Sequence, residues 1–254
     1  MNTTVISNGV FMLGDCFERM RELPDASVDM VLADLPYGTT ACAWDAVIPF
    51  EPLWREYQRV CKPSAMIVLT ANQPFTSALV ASNYAGFKYA CAWNKVLPRG
   101  HLNAKKQPLR VLEDVLVFGA AGGTYNPQKT TGHKRKVRNT VYEKGGDGSQ
   151  VYGKERRNTH YDSTERYPTS LITFSNAAQN GKLHPTQKPV ALFEYLIRTY
   201  TNEGDTVLDN TAGSGTTAVA AERCGRRWVC IERDETYYTK AVERVIAASV
   251  GDLL

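Results

Sequence analysis

Three carboxylates stand in settings suited to chemistry. Asp34 opens the run Asp34-Leu35-Pro36-Tyr37-Gly38, directly after the apolar stretch Val28–Ala33. Asp209 follows Val207-Leu208 and opens Asn210-Thr211-Ala212-Gly213-Ser214-Gly215-Thr216-Thr217. Glu232 closes Trp228-Val229-Cys230-Ile231, 23 residues beyond Asp209. An exocyclic amine of a base is a weak nucleophile, because its lone pair is delocalised into the ring. A carboxylate such as Asp34, with the neighbouring Leu35 carbonyl, can accept the amine's N–H bonds and draw that lone pair toward an electrophile. Pro36 would stiffen the loop, and Tyr37 offers a ring face on which a base can stack. Taken alone, Asp-x-Pro-Tyr is better explained as a strand-to-loop turn with a packed tyrosine.

The Asp209 segment reads as a strand, a Gly-x-Gly turn and a helix start. Gly213 and Gly215 allow a tight turn close to a ligand, and a helix N-terminus presents free N–H groups. An acid ~20 residues further on, as Glu232 is, suits ribose hydroxyls in Rossmann-like folds. Two details argue against a dinucleotide. The third glycine is missing, since Gly215 is followed by Thr-Thr-Ala-Val. Asp209 at the strand end would repel a diphosphate and instead suits a cationic group, such as the ammonium of methionine.

These residues need a scaffold that brings strand ends together. Buried strands are expected at Val28–Ala33, Ala65–Thr70, Phe87–Trp93, Asp114–Phe118, Ser170–Phe174, Thr206–Leu208 and Trp228–Glu232. Helical spacing marks Phe50–Cys61, Pro74–Ser82, Pro189–Tyr200, Thr217–Arg223 and Glu235–Ala248, the last with Asp234 as N-cap. Strands separated by helices predict an α/β, doubly wound, mostly parallel sheet. In such sheets ligands bind beyond the carboxyl ends of the strands, so the three acids would share one rim.

The 254 residues suit one α/β domain with an inserted module, here 1–118 and 183–254 around 119–182. Neither a basic, apolar leader nor a run of ~20 apolar residues is present, so a cytoplasmic protein without a membrane span is expected. The six cysteines form no CxxC pair, which predicts reduced thiols and no metal site. Net charge is +4, but the stretch Thr124–Lys182 holds 11 Lys/Arg against 5 Asp/Glu. That excess suggests a surface for a polyanion.

The two constellations together resemble the β-class DNA amino-methyltransferases. Asp-Leu-Pro-Tyr is similar to their Asp-Pro-Pro-Tyr motif, and Asp209–Thr217 to their S-adenosylmethionine motif. The catalytic motif comes first and the cofactor motif last, which is the permuted order of that class. Leu13-Gly14-Asp15, Trp44-Asp45 and Leu183-His184-Pro185-Thr186-Gln187-Lys188-Pro189 resemble further segments of it. The resemblance implies a Rossmann-like fold and methyl transfer to adenine N6. Asp34 and the Leu35 carbonyl would hold the target amine, with Pro36 in the same loop and Tyr37 against a flipped base. Asp209 would face the methionine ammonium, Glu232 the ribose and Asp15 the adenine amine. Thr186, Lys188, Gly213, Gly215, Thr216 and Thr217 would complete the cofactor site. Leu35 departs from the family's proline; the backbone carbonyl survives that change, but loop stiffness is at stake.

The basic insert falls where this family has its target-recognition region. Lys134, Arg135, Lys136, Arg138, Arg156 and Arg157, interleaved with tyrosines, suit phosphate contact and base-edge reading. Gly145–Ser149 is expected to order only on DNA. DNA is the expected partner, and a homodimer is left open. The alternatives are a cytosine N4 methyltransferase, an RNA adenine methyltransferase, an inactive DNA-binding module and a nicotinamide oxidoreductase.

Overall fold

The computed structural model describes residues 2–39, 45–120, 122–143, 156–177 and 187–251. Cys42, Trp44, Gly145–Ser149 and Leu183–Thr186, all singled out in the sequence, lie outside the described residues. In chain order the elements are β1 (Thr3–Ile6), β2 (Gly9–Leu13), the short α1 (Cys16–Met20) and β3 (Val28–Ala33). There follow α2 (Phe50–Val60), β4 (Cys61–Ala71), α3 (Phe75–Ser82), β5 (Phe87–Arg99) and β6 (Arg110–Gly119). Strands β7 (Lys136–Glu143), β8 (Arg156–Ser163) and β9 (Leu171–Thr173) come next. The chain then runs through α4 (Val190–Tyr200), β10 (Thr206–Asp209), α5 (Thr216–Arg223), β11 (Arg227–Glu232) and α6 (Glu235–Gly251).

Among the described residues a nine-stranded sheet has the order β1-β2-β11-β10-β3-β4-β6-β5-β9. Strands β2, β11, β10, β3 and β4 are mutually parallel neighbours. Strand β3 shows why its sequence is almost continuously apolar. Met30 and Leu32 join one core cluster with residues of α4, α5 and α6, while Val31 and Ala33 join another with residues of α2 and α3. A strand covered on both faces has no polar side to show. Replacing Leu32, which is wholly buried, by alanine would cost about 2–5 kcal/mol. Gly9 pairs with Trp228 across β2 and β11, and a Cβ on it would come within 2.1 Å of the indole. Only glycine lets that ring lie over the strand.

Strand β6 departs from the parallel arrangement that strand–helix alternation predicts. It pairs antiparallel with both β4 and β5, so β5 runs in the same direction as β4 and pairs parallel with β9. The connection between β5 and β6 holds only a 3-10 turn, His101–Asn103. A parallel return needs a longer crossover, usually helical. The N-terminal β1–β2 pair and α1 carried too little pattern to be read as elements.

The chain divides into two compact units, Met1–Asn126 with Thr169–Leu254, and Pro127–Pro168. The second lies inside the 119–182 span expected as an insert. It contains an antiparallel pair, β7 with β8, in a stretch where the sequence shows no period. Residues 136–139 are all exposed, so no apolar face marks the strand. Among the described residues no helix is long and apolar enough to cross a membrane, and no His/Cys/Asp/Glu group could hold a metal.

Candidate active site

The sheet order sets β10 between β3 and β11, although β3 and β10 come from opposite ends of the chain. Their parallel pairing puts Asp34, Asp209 and Glu232 on one rim. A cavity of about 570 Å3 opens there, lined among others by Asp15, Asp34, Leu35, Pro36, Tyr37, Lys188, Asp209, Gly213, Thr216 and Glu232. That size suits a small-molecule site, typically ~300–1,000 Å3. The Thr211 hydroxyl donates to the Asp34 carbonyl at 3.3 Å, which joins the two motif loops directly.

Asp209 is buried with 3% of its surface exposed. One oxygen accepts from the Thr211 N–H at 3.0 Å and the other from the Thr217 hydroxyl at 2.5 Å. No cation is paired with it among the described residues. Burial therefore dominates, and pushes its carboxyl up to about 7 despite those two donors. Glu232 is raised in the same direction, by burial, and accepts from Gly213 N–H at 2.8 Å and Asp234 N–H at 2.8 Å. Beside Asp209, the Asn210 carbonyl oxygen accepts from Tyr57 at 2.6 Å, but its buried amide nitrogen has no hydrogen-bond partner. An uncompensated buried acid and an unsatisfied buried donor fit a ligand carrying a cation and hydrogen-bond acceptors. A nucleoside bearing an amino acid has both.

The structure divides the expected cofactor residues. Gly213 and Thr216 line the cavity, whereas Gly215 and Thr217 do not. Gly215, at φ 74°, faces Phe11, Ala241 and Val245, where an added Cβ would find 3.2–3.3 Å contacts. Thr217 supports Asp209 from behind. Asp15 caps α1, accepting from the N–H groups of Phe17 and Glu18, and also lines the cavity. Arg244 of α6, which no motif marks, donates to the Ser214 carbonyl at 2.8 Å and to the Thr216 hydroxyl at 3.1 Å. Burial lowers its guanidinium to about 10.

Lys188, expected at the cofactor, lines the cavity and also reaches the catalytic loop. Its Nζ lies 3.0 Å from Asp34 Oδ2 and 3.2 Å from Glu113 Oε2. The other Asp34 oxygen accepts from the Tyr37 phenol at 2.7 Å and the Thr70 hydroxyl at 2.5 Å. Burial, then the Asp34 charge, hold Tyr37 well above the usual phenol range, so it stays a donor. One face of the Tyr37 ring is already stacked on Phe75, at 5.0 Å and 27°. Leu35 is buried in the core, while Asp45 accepts from the N–H groups of Gly38 and Thr39, both at 2.9 Å. That clamp gives the loop a stiffness which the leucine, in place of proline, does not supply. Thr70, Glu113 and Lys95 carry no recognisable motif, because each sits at an ordinary position in a strand.

In the Pro127–Pro168 unit, Lys134, Lys136 and Arg138 are exposed and without an ion pair among the described residues. Arg135 differs: it holds Asp162 through two bonds of 2.7 and 2.6 Å. Arg156 and Arg157 lie on β8, opposite Glu143 and Tyr142 of β7.

The DNA methylase model of the N6/N4 type matches residues 28–243. The chain is 27% identical over 253 residues to the DNA adenine methyltransferase YhdJ of Escherichia coli (strain K12), covering 93% of this chain and 82% of that protein. The fold is similar to that of the M1.HpyAVI–SAM complex, with a TM-score of 0.61, 22% identity and 92% and 98% of the two chains covered. It is also similar to the cytosine-N4-specific PvuII DNA methyltransferase, with a TM-score of 0.65, 18% identity and 97% and 93% coverage. The chain therefore belongs to the N6/N4 DNA methylases, enzymes of Rossmann-like fold that use S-adenosylmethionine.

Proposed function

We propose that the protein methylates the N6 amine of adenine within a specific DNA sequence. The supporting observation is the shared cavity, in which Asp34 and the Asp209 turn meet within hydrogen-bonding reach. When bound, S-adenosylmethionine supplies an electrophilic methyl group. Asp209 holds the methionine ammonium, Glu232 the ribose hydroxyls and Asp15 the adenine amine, with Asn210 offering its free donor. Thr186 and Thr216 border the methionine carboxylate, while Gly215 and Thr217 shape the turn.

Asp34 accepts one N–H of the target amine and the Leu35 carbonyl the other, which turns the nitrogen lone pair out of ring conjugation. Tyr37 and Thr70 fix the carboxylate by donating to its second oxygen. After transfer the nitrogen carries one proton too many, and Asp34 is placed to take it. Pro36 and the Asp45 clamp hold the loop in register. An amine inside a duplex is out of reach, so the base is flipped into the cavity. The Pro127–Pro168 unit supplies target recognition and phosphate contact through Lys134, Lys136, Arg138, Arg156 and Arg157, with Arg135 held by Asp162. Adenine is favoured by the Asp that opens the catalytic motif and by the similarity to the E. coli adenine enzyme.

The test is chemical. Unmodified DNA is incubated with the protein and S-adenosylmethionine, digested to nucleosides and analysed by mass spectrometry. N6-methyladenine is expected. N4-methylcytosine would overturn the choice of base, and no methylated base at all would overturn the reaction.

A further inference from the structure

Behind Asp34 the charges alternate in a chain that the motifs do not include. Lys188 Nζ meets Asp34 at 3.0 Å and Glu113 at 3.2 Å, and Lys95 Nζ meets the other Glu113 oxygen at 3.0 Å. The side chains of Lys95, Lys188 and Glu113 are only 5%, 10% and 12% exposed. Two adjacent buried lysines would repel each other and lose hydration, at a cost that only close carboxylates offset. Here two acids and two bases balance. Lys188 also lies 5.7 Å over the Tyr37 ring and 6.0 Å over Trp93, which limits its freedom to swing away.

We propose that Glu113 and Lys95 are positioning residues for methyl transfer: they lock the Lys188 ammonium onto Asp34 Oδ2 and so set the orientation of the carboxylate that receives the target amine. The inference rests on the proposed role of Asp34. The geometry gives the chain a function beyond packing. Asp34 Oδ1 is taken by Tyr37 and Thr70, so Oδ2 is the oxygen shared between Lys188 and an incoming amine. How tightly Lys188 holds Oδ2 decides how much acceptor strength remains for the amine. Glu113 holds the ammonium from its other side and so fixes where it meets Oδ2. Lys95 keeps Glu113 in place. Glu113 Oε2 has no hydrogen-bond partner in good geometry, so it meets Lys188 as an ion pair.

Charge state follows from the same contacts. Burial works against the Lys188 ammonium, but Asp34, Tyr37 and Glu113 around it outweigh burial and hold it well above the usual lysine range. These groups face it from the catalytic loop and from β6, and Lys95 of β5, on the far side of Glu113, opposes them as a like charge. Burial likewise works against the Glu113 carboxylate, yet Lys188 and Lys95 hold it below its ordinary range. Removing Glu113 takes away part of what keeps Lys188 protonated. Activity should then fail at a lower alkaline pH than in the wild type.

The experiment uses the full chain with S-adenosylmethionine and substrate DNA. Glu113→Gln is expected to lower kcat at neutral pH about tenfold, the effect of one pKa unit of altered interaction. It should shift the alkaline limb of the kcat–pH profile downward and leave S-adenosylmethionine affinity near wild type. Glu113→Asp should recover part of the rate and of the pH profile. If Glu113→Gln fails to fold, Glu113→Gln with Lys95→Met keeps the local charge balanced and should show the same shifted limb. Wild-type kcat and an unmoved pH profile in the folded variant would overturn the inference. Asp34→Asn is run beside them: if it is inactive while the Glu113 variants are normal, only the inference fails. If it is fully active, the reading of Asp34 fails as well.

Discussion

Asp34 and Asp209 occupy equivalent places, at the carboxyl ends of the neighbouring parallel strands β3 and β10, yet the protein treats them in opposite ways. Asp209 is closed off from water and, among the described residues, receives only a hydroxyl and a backbone N–H, so burial lifts its carboxyl to about 7. Asp34 is more open, with 22% of its side chain exposed, and has a lysine, a phenol and a hydroxyl around it. The difference matches two tasks. A group that must bind a cation works best when the protein leaves its charge unmet. A group that must direct an amine's lone pair works best when its orientation is fixed beforehand.

The strongest way to break this comparison is Asp34→Ala. Methylation should fall about 10³-fold or more, the scale of losing a directed transition-state contact, while S-adenosylmethionine still binds. An active variant would end the assigned role. Next comes Asp209→Asn, which keeps the shape and removes the charge. Cofactor affinity should drop about 30-fold or more, since loss of one partner from a buried charge pair costs ~2–5 kcal/mol. Calorimetry that finds equal affinity would remove the ammonium from Asp209.

The pH dependence sharpens the same point. In the free protein Asp209 is protonated below about 7, and a bound ammonium would lower that value. Cofactor affinity should therefore rise as pH climbs toward 7, with release of a proton on binding, and Asp209→Asn should lose this limb. A flat titration in the wild type would contradict the sign. A smaller effect is expected at Asp45. Asp45→Ala frees the N–H groups of Gly38 and Thr39, each a charge-assisted bond of ~1.5–3 kcal/mol, so kcat should fall about tenfold with cofactor affinity held.

The mildest change lies away from both acids. Neutralising Lys134, Arg135, Lys136 and Arg138 together should weaken DNA binding several-fold and reduce its salt dependence. The slope should lose fewer than four contacts' worth, because Arg135 is already paired with Asp162. Unchanged binding at every salt concentration would take the Pro127–Pro168 unit out of DNA recognition.

Much of the rim was legible from spacing. Val28–Ala33, Phe50–Val60 and the strand–turn–helix around Asp209 match their expected elements within a residue or two. Each buries an apolar face, and burial writes a period into the sequence. The β7–β8 pair left no such trace, since its described side chains are solvated. Lys188 was visible as part of a motif, but its contacts with Asp34 and Glu113 were not, because a motif gives identity and not direction.

What the amino-acid order determined by itself was therefore local: which segments hide from water, which turn is tight enough for glycine, and which acids end strands. Whether those acids meet was decided by the order of the strands, which sets β3 against β10 across the length of the chain. The same tertiary step brought Glu113 and Lys95, from antiparallel β6 and β5, to the back of Asp34. The physical reason is range. Hydrophobic period and turn chemistry act between near neighbours in sequence, whereas a buried charge selects its partner through space, from any strand that packing delivers.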